Sequence, residues 1–425
     1  MTRIRPFCAL RYDPRSVDMD RVIVPPYDVI APGERAGYFD LDPHSAIRLT
    51  LTREVEQEAA TDYADIRRRL EDWQRSAVLV RDPKPALYGL RERFVAPDGT
   101  PRVRDAFFGL LHLEDYDRRI VRPHELTLAG PKADRLKLLR SARANLSSVL
   151  VLYEDRERSL EPVLSASLEG EPIAEARDAS VRHTLTRLED AASIEAIRSF
   201  LAGRPVVIAD GHHRYETALQ YRDECAAGED GPAAWMLACF ANAFAPGNLL
   251  LPIHRLILKG AVPTDAAWAE RLPGWSQRAV PVAGAEAIPA LLAEHLAPLR
   301  DRHAFAADDA SGQLRIFAKP RAASGDDELT VRVVHRDVIA GVFGLDEDAV
   351  REGAIDYPKD ALQTARDLRG GRGSVALYLN PLAPEDVFRV TAAGEVMPQK
   401  STFFYPKLPT GLVFRLLDED GEARP

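Results

Sequence analysis

The residues best suited to chemistry lie in one short run, Asp210-Gly-His-His-Arg-Tyr-Glu-Thr217. Two imidazoles and a guanidinium fall directly after an Asp-Gly turn. Before the run, residues 204–209 (RPVVIA) form a short β-branched segment that predicts a buried strand. After it, Ala218, Tyr221 and Cys225 recur at helical spacing. The run is therefore a strand-to-helix turn, with Asp210 expected to cap the helix. A helix start carries unpaired N–H groups and a partial positive charge, so it already favours an anion. Capping needs neither histidine nor arginine, and adding His212, His213 and Arg214 raises the positive potential further. The expected chemistry is phosphate binding by Asp210, Gly211, His212, His213 and Arg214.

Other clusters offer complementary groups. Arg122-Pro-His-Glu125 is followed by Gly130-Pro-Lys-Ala-Asp-Arg135, bringing acids, bases and a histidine close together in sequence. Glu125, beside His124, suits a general base, while Lys132 and Arg135 suit charge neutralisation. Asp134 is expected in the first turn of a helix, and a salt-bridged helix entry explains the same residues equally well. Pro25-Pro-Tyr-Asp28 is a rigid loop that can present Tyr27 and Asp28 to a ligand, or simply turn the chain. Lys400-Ser-Thr402 joins an ammonium to two hydroxyls, and Tyr405-Pro-Lys407 adds a cation. This late loop can close over a site built earlier or pack as a terminal loop. His254-Arg255 follows an apolar run and can place a cation at a sheet rim.

Those clusters need a framework, and the composition allows one. The chain has 425 residues and a net charge of −9, which predicts two or three domains. The acidic balance, without a basic block, argues against nucleic-acid binding. No apolar stretch is long enough for a membrane span, no export signal is evident at the N-terminus, and the three cysteines show no C-x-x-C pairing. A cytoplasmic protein is expected. Only eight of the 56 basic residues are lysine, and Lys132, Lys137, Lys359, Lys400 and Lys407 fall in unusual segments, where a compact ammonium has a use arginine cannot fill.

Helices are predicted over residues 61–75, 133–146 and 233–244, and strands over 86–95, 102–113, 148–153, 249–258, 314–317, 329–334 and 374–379. Residues 154–189 read as surface hairpins and helix, and an Ala-rich, helix-prone region follows residue 262. The mixture predicts an α+β fold in three regions: an N-terminal α+β domain (1–153), a phosphate-binding region (154–260) and a C-terminal α+β region with a closing loop (261–425). No Walker loop, H-E-x-x-H, G-x-S-x-G or G-x-G-x-x-G motif is present.

The stretches VPPYDVI (24–30), RPHELT (122–127), PKADRLKLL (131–139), ADGHHRYETAL (209–219), LPIHRLI (251–257) and MPQKSTFFYPKLPTGLV (397–413) together resemble a bacterial and archaeal family known only as a domain of unknown function. Within it, the Asp-Gly-His-His-Arg turn resembles that of the ParB/sulfiredoxin superfamily, whose strand-turn-helix holds nucleotide or phosphate. Sulfiredoxin has a Gly-Gly-Cys-His-Arg-Tyr version. His212 stands where that cysteine would be, so sulfinic-acid repair is not implied. The free-serine kinase branch, with an Asp-Gly-His-His turn, is a closer analogue.

This resemblance implies a kinase-like phosphotransferase that moves phosphate between ATP or ADP and serine, or a similar hydroxy-amino acid. In that reading Gly211–Arg214, Lys132, Arg135, Lys400, Ser401 and Thr402 hold the nucleotide's phosphates. Glu125, Asp28 or His124 handles the acceptor proton, and Tyr27, His254 and Lys407 bind substrate. Magnesium would bridge phosphates, with Asp210 or Asp134 as ligands. Two alternatives are a ParB-like nucleotide switch and a metal-dependent phosphohydrolase built on the His-His pair.

Overall fold

The computed structural model describes residues 1–418 except Ala59, Asp62, 126–128, Ala227, 322–327 and Gln399, and only the backbone of 129–131. Leu126 and Thr127 of the RPHELT stretch, and Gln399 of the late loop, thus lie outside the described residues. The fold is α+β, and the chain divides into two units. The first comprises Met1–Leu249, Phe388–Val396 and Phe404–Pro425, and the second Leu250–Val387 and Met397–Phe403.

The first unit is built on a nine-stranded sheet. Its strands are β1 (Ile4–Arg5), β2 (Leu87–Val95), β3 (Pro101–His112), β4 (Val121–Pro123), β5 (Val149–Tyr153), β6 (Ala174–Asp178), β7 (Val181–Leu188), β8 (Val206–Asp210) and β9 (Trp235–Asn242). The order is β4-β8-β5-β9-β3-β2-β7-β6, with β1 added beside β3. Most neighbours are antiparallel, but β4 runs parallel to β8 and β5 runs parallel to β9. The strands expected over 86–95 and 102–113 form the β2–β3 hairpin, which turns at Asp98-Gly99, with Gly99 at φ +80°. Helices α1 (Ala64–Arg75), α2 (Ala129–Ala142), α3 (Glu161–Leu168), α4 (Ala191–Ala202) and α5 (His212–Glu224) complete the principal elements of this unit. Ile66, Leu70 and Trp73 form the buried stripe that makes α1 amphipathic. One core joins Phe107, Val151, Ile208, Phe240 and Tyr215 across the sheet and α5.

The second unit carries a six-stranded antiparallel sheet. Its strands are β10 (Arg255–Ile257), β11 (Ser276–Pro281), β12 (Arg302–Asp308), β13 (Gln313–Pro320), β14 (Ile355–Asp356) and β15 (Val375–Leu379). They are ordered β11-β13-β12-β15-β10-β14. Two cores flank it, one around Trp268, Phe305 and Phe317, the other around Ile288, Ile316 and Tyr378.

Four expectations about elements are corrected. Residues 233–244 hold strand β9, not a helix, and every residue of Trp235–Asn242 is buried. A strand covered on both faces shows no period, so its apolar run reads equally well as a helix. Residues 329–334 form the start of a helix, Thr330–Val334, which continues with wider turns through His335–Ala340; here burial of Val331, Val333 and Val334 overrides the strand preference of valine. The run 249–258 is interrupted at Pro252, which cannot donate to a ladder, leaving Leu249–Leu251 and Arg255–Ile257. Finally, residues 154–189 are not merely peripheral. They include β6 and β7, and β7 pairs with β2 along nearly its whole length.

Candidate functional site

The parallel pairing of β4 with β8 aligns their C-terminal ends. Ile208 lies opposite Pro123, so the next residues of the two strands, His124-Glu125 and Ala209-Asp210, emerge side by side. The chain then turns at Gly211, with φ +90° and ψ 31°, into α5. Only glycine adopts this left-handed backbone without strain. A Cβ here would also lie 2.9 Å from the Arg214 guanidinium. Asp210 is not the helix cap. Gly211 occupies that position, and it has no side chain with which to cap the helix.

Asp210 has a different task. Its carboxylate is buried, with Lys407 Nζ on Oδ1 and Arg214 Nη2 on Oδ2 at 2.5 Å. Burial alone would raise its pKa, but Lys407 and Arg214 override it and hold the carboxyl well below its ordinary range. Arg214 also donates to the Ser148 carbonyl. The acid ending β8 thus fixes two cations around the turn.

His212 points inward and is buried. Its Nε2 accepts the backbone N–H of His124 at 3.3 Å, and its ring meets the His124 ring edge-on, centroids 4.5 Å apart. Its Nδ1 stands 3.8 Å from Glu125 Oε1. The Nδ1–H of His124 donates to the Ile208 carbonyl at 2.5 Å, and Phe404 packs on its ring. Burial pushes both imidazoles down from their ordinary pKa, His212 further because His124 lies beside it. Both are neutral at pH 7, and they tie β4 to the turn.

His213 faces outward and is only half-buried. Burial lowers its pKa, and the charges acting on it are Glu216, Asp28, Lys132 and Glu125. The structure therefore gathers three carboxylates and an ammonium around the outer imidazole. Lys132, on α2, pairs with Glu216. Tyr27 reaches the same region, where its hydroxyl pKa is raised by burial and by Asp28 against the opposing pull of Arg214 and Arg135. Arg135 stacks on the Tyr27 ring at 4.4 Å and donates to the Thr50 carbonyl at 2.7 Å.

Of the residues singled out from sequence, Tyr27, Asp28, His124, Glu125, Lys132, Asp134, Arg135, Asp210, Gly211, His212, His213, Arg214 and Lys407 all belong to the first unit. Asp134 is the sixth residue of α2, not in its first turn. The helix begins earlier than the pattern suggests because Ala129 and Gly130 already belong to it. His254, Lys400, Ser401 and Thr402 belong to the second unit. There His254 is buried, gives its backbone N–H to the Pro358 carbonyl at 2.8 Å, and is pushed down to a pKa of about 3 by burial and Arg255. The Lys400 carbonyl accepts from Arg255 at 3.3 Å, and the Ser401 hydroxyl donates to the Pro398 carbonyl at 2.5 Å. Glu216 escapes the sequence reading, although it lies three residues after His213, on the same helical face.

The carboxylates expected to bind magnesium do not fit that task as placed. Both Asp210 oxygens face cations, and Asp134 accepts from Tyr63 at 3.0 Å and from Arg135 at 2.9 Å. Among the described residues no group of three or more histidines, cysteines or acids is arranged to hold a metal. No described helix is long and apolar enough to cross a membrane.

Solved structures similar to this chain include a mutant free serine kinase in complex with AMP, at 14% identity and TM-score 0.37, covering 74% of this chain and 93% of that one. A conserved hypothetical protein from Pyrococcus furiosus is 14% identical at TM-score 0.34, with coverages of 74% and 96%. SbnI with C-terminal truncation from Staphylococcus aureus is 12% identical at TM-score 0.34, with coverages of 74% and 90%. No curated protein matches the chain. The family described as "Protein of unknown function (DUF1015)" matches residues 4–306, and the chain belongs to that family.

Proposed function

We propose that this chain is a phosphotransferase that moves a phosphoryl group between a nucleotide, ATP or ADP, and the hydroxyl of a small metabolite. Serine or a similar hydroxy-amino acid is the favoured acceptor, following the resemblance of its turn to the free-serine kinase branch of the ParB/sulfiredoxin superfamily. The observation carrying the reading is the uncapped glycine turn at the end of β8, with carboxylates grouped beside it. Phosphoryl transfer requires positioning and charge neutralisation rather than covalent help from the protein. The first N–H groups of α5 point at the phosphates, while Lys132 and the cations fixed by Asp210 neutralise developing charge. His213, with its lowered pKa, supplies a neutral hydrogen-bonding ring. Glu125, emerging next to Asp210, takes the acceptor proton, and Asp28 is another carboxylate whose charge acts on His213. Magnesium would arrive on the nucleotide's phosphates. The three free cysteines are in keeping with a cytoplasmic enzyme.

The test is a panel of ATP, ADP and CTP against serine, threonine and homoserine, with phosphate transfer measured in both directions. Glu125→Gln should lower turnover by about 10²–10⁴-fold while leaving nucleotide affinity intact. Absence of nucleotide binding by the unaltered chain would end this reading.

A further inference from the structure

Within the first unit, against the same turn of α5, lies a cavity of about 60 Å³. Leu138, Leu139, Leu146 and Met236 give it apolar walls, and Arg214 and Thr217 line it from α5. Among the described residues no acidic side chain lines it, whereas two arginines, Arg135 and Arg214, do. Two polar atoms of these lining residues stand out. Arg214 Nε and Thr217 Oγ1 are buried and have no hydrogen-bond partner among the described residues. The Arg214 side chain is 9% exposed and Thr217 only 2%. The other two guanidinium nitrogens are used, one on Ser148 and one on Asp210.

A buried N–H and a buried hydroxyl without partners are costly unless something supplies an acceptor. A carboxylate serves both, because its two oxygens accept from a guanidinium and a hydroxyl together. The volume holds only a few water-sized spheres. It suits a carboxylate and a short carbon chain, and it is too small for a purine.

We propose that this cavity binds the carboxylate end of a small hydroxy or amino acid, with Arg214 Nε and Thr217 Oγ1 as its donors. Identifying that acid with the phosphoryl acceptor rests on the phosphotransferase reading; the binding itself does not. Arg214 then has two roles, its Nη2 held by Asp210 at the glycine turn and its Nε facing the acceptor.

The test is calorimetric titration of the full chain, without nucleotide, using L-serine, 3-hydroxypropionate and ethanolamine. The first two carry a carboxylate and should bind; ethanolamine keeps the hydroxyl, lacks the carboxylate and should not. Thr217→Val should weaken serine binding roughly tenfold, the worth of one hydrogen bond to a charged group, and Thr217→Ser should restore it. Affinity for ATP, measured on the same samples, should be unchanged in Thr217→Val. Hydrogen exchange of the unaltered chain gives a readout independent of variant folding: serine should slow exchange in residues 135–139 and 214–218. Serine binding without phosphate transfer would support the cavity and count against the transfer reading. Equal binding of ethanolamine, no binding by either acid, or unchanged exchange in those residues would overturn the proposal.

Discussion

Replacing Asp210 by asparagine keeps the shape of the side chain and removes only its charge. The native residue is 7% exposed and meets Lys407 and Arg214, whose side chains are 21% and 9% exposed. In Asp210→Asn both cations face a neutral amide. Removing one partner of a buried ion pair costs about 3–5 kcal/mol. Lys407 can turn partly towards water, so the expected loss is about 3 kcal/mol, at the lower end of that range. Hydrogen exchange of the α5 amides in denaturant at pH 7 reports this for the first unit by itself. A loss below about 1 kcal/mol, the worth of an exposed pair, would refute the assignment of Asp210 as the buried anchor. The pH dependence gives a second check. The folded carboxyl titrates well below its ordinary range, because Lys407 and Arg214 outweigh its burial. The unfolded chain therefore binds a proton first as pH falls. The stabilisation is complete above about pH 4 and is lost below it. The amide of the variant cannot titrate, so the gap between the two proteins should narrow in that acid window.

Other perturbations separate the roles of neighbouring residues. Gly211→Ala forces a left-handed backbone and a contact 2.9 Å from the Arg214 guanidinium; a stability loss of about 1–3 kcal/mol and impaired nucleotide binding are expected by denaturation and titration. The buried imidazoles of His124 and His212 have folded pKa values below the unfolded value, so unfolding takes up protons. Stability should therefore fall as pH drops below about 6.5, and His212→Gln should flatten that slope in denaturation series. Lys132→Met breaks a partly exposed pair with Glu216, so stability should change by less than about 1 kcal/mol while ATP affinity falls. Equal affinities for ATP would remove Lys132 from the site.

Local chemistry makes the turn legible from the amino acids alone. A β-branched run, an Asp-Gly pair and helical spacing after it suffice to locate β8, Gly211 and α5. The β2–β3 hairpin is legible for the same reason. Pairing across long sequence distances is not. Nothing local reveals that β4 runs parallel to β8, so the placement of Glu125 beside Asp210 comes only from the sheet register. Nothing local shows that Lys407 meets a carboxylate 197 positions earlier. That partner is why Asp210 is a buried anchor and not a helix cap. The inward and outward turns of His212 and His213 are likewise a matter of packing against His124. Strand β9 reads as a helix because burial on both faces erases the alternation on which a strand assignment depends.

The contact between Lys407 and Asp210 also has a consequence in time. A chain made from its N-terminus completes β8 and α5 long before residue 407 exists. Until then Asp210 has Arg214 as its counter-charge but lacks its second cation. The segment carrying Lys407 is anchored by residues made much earlier: Thr410 bridges Val24, Phe414 bridges Leu10, and Arg415–Leu416 pairs with Ala144–Asn145. The turn is therefore among the last places in the first unit to become electrically whole during synthesis. A nascent chain, or one clipped before this segment, carries every residue of the glycine turn and still lacks the cation that finishes it.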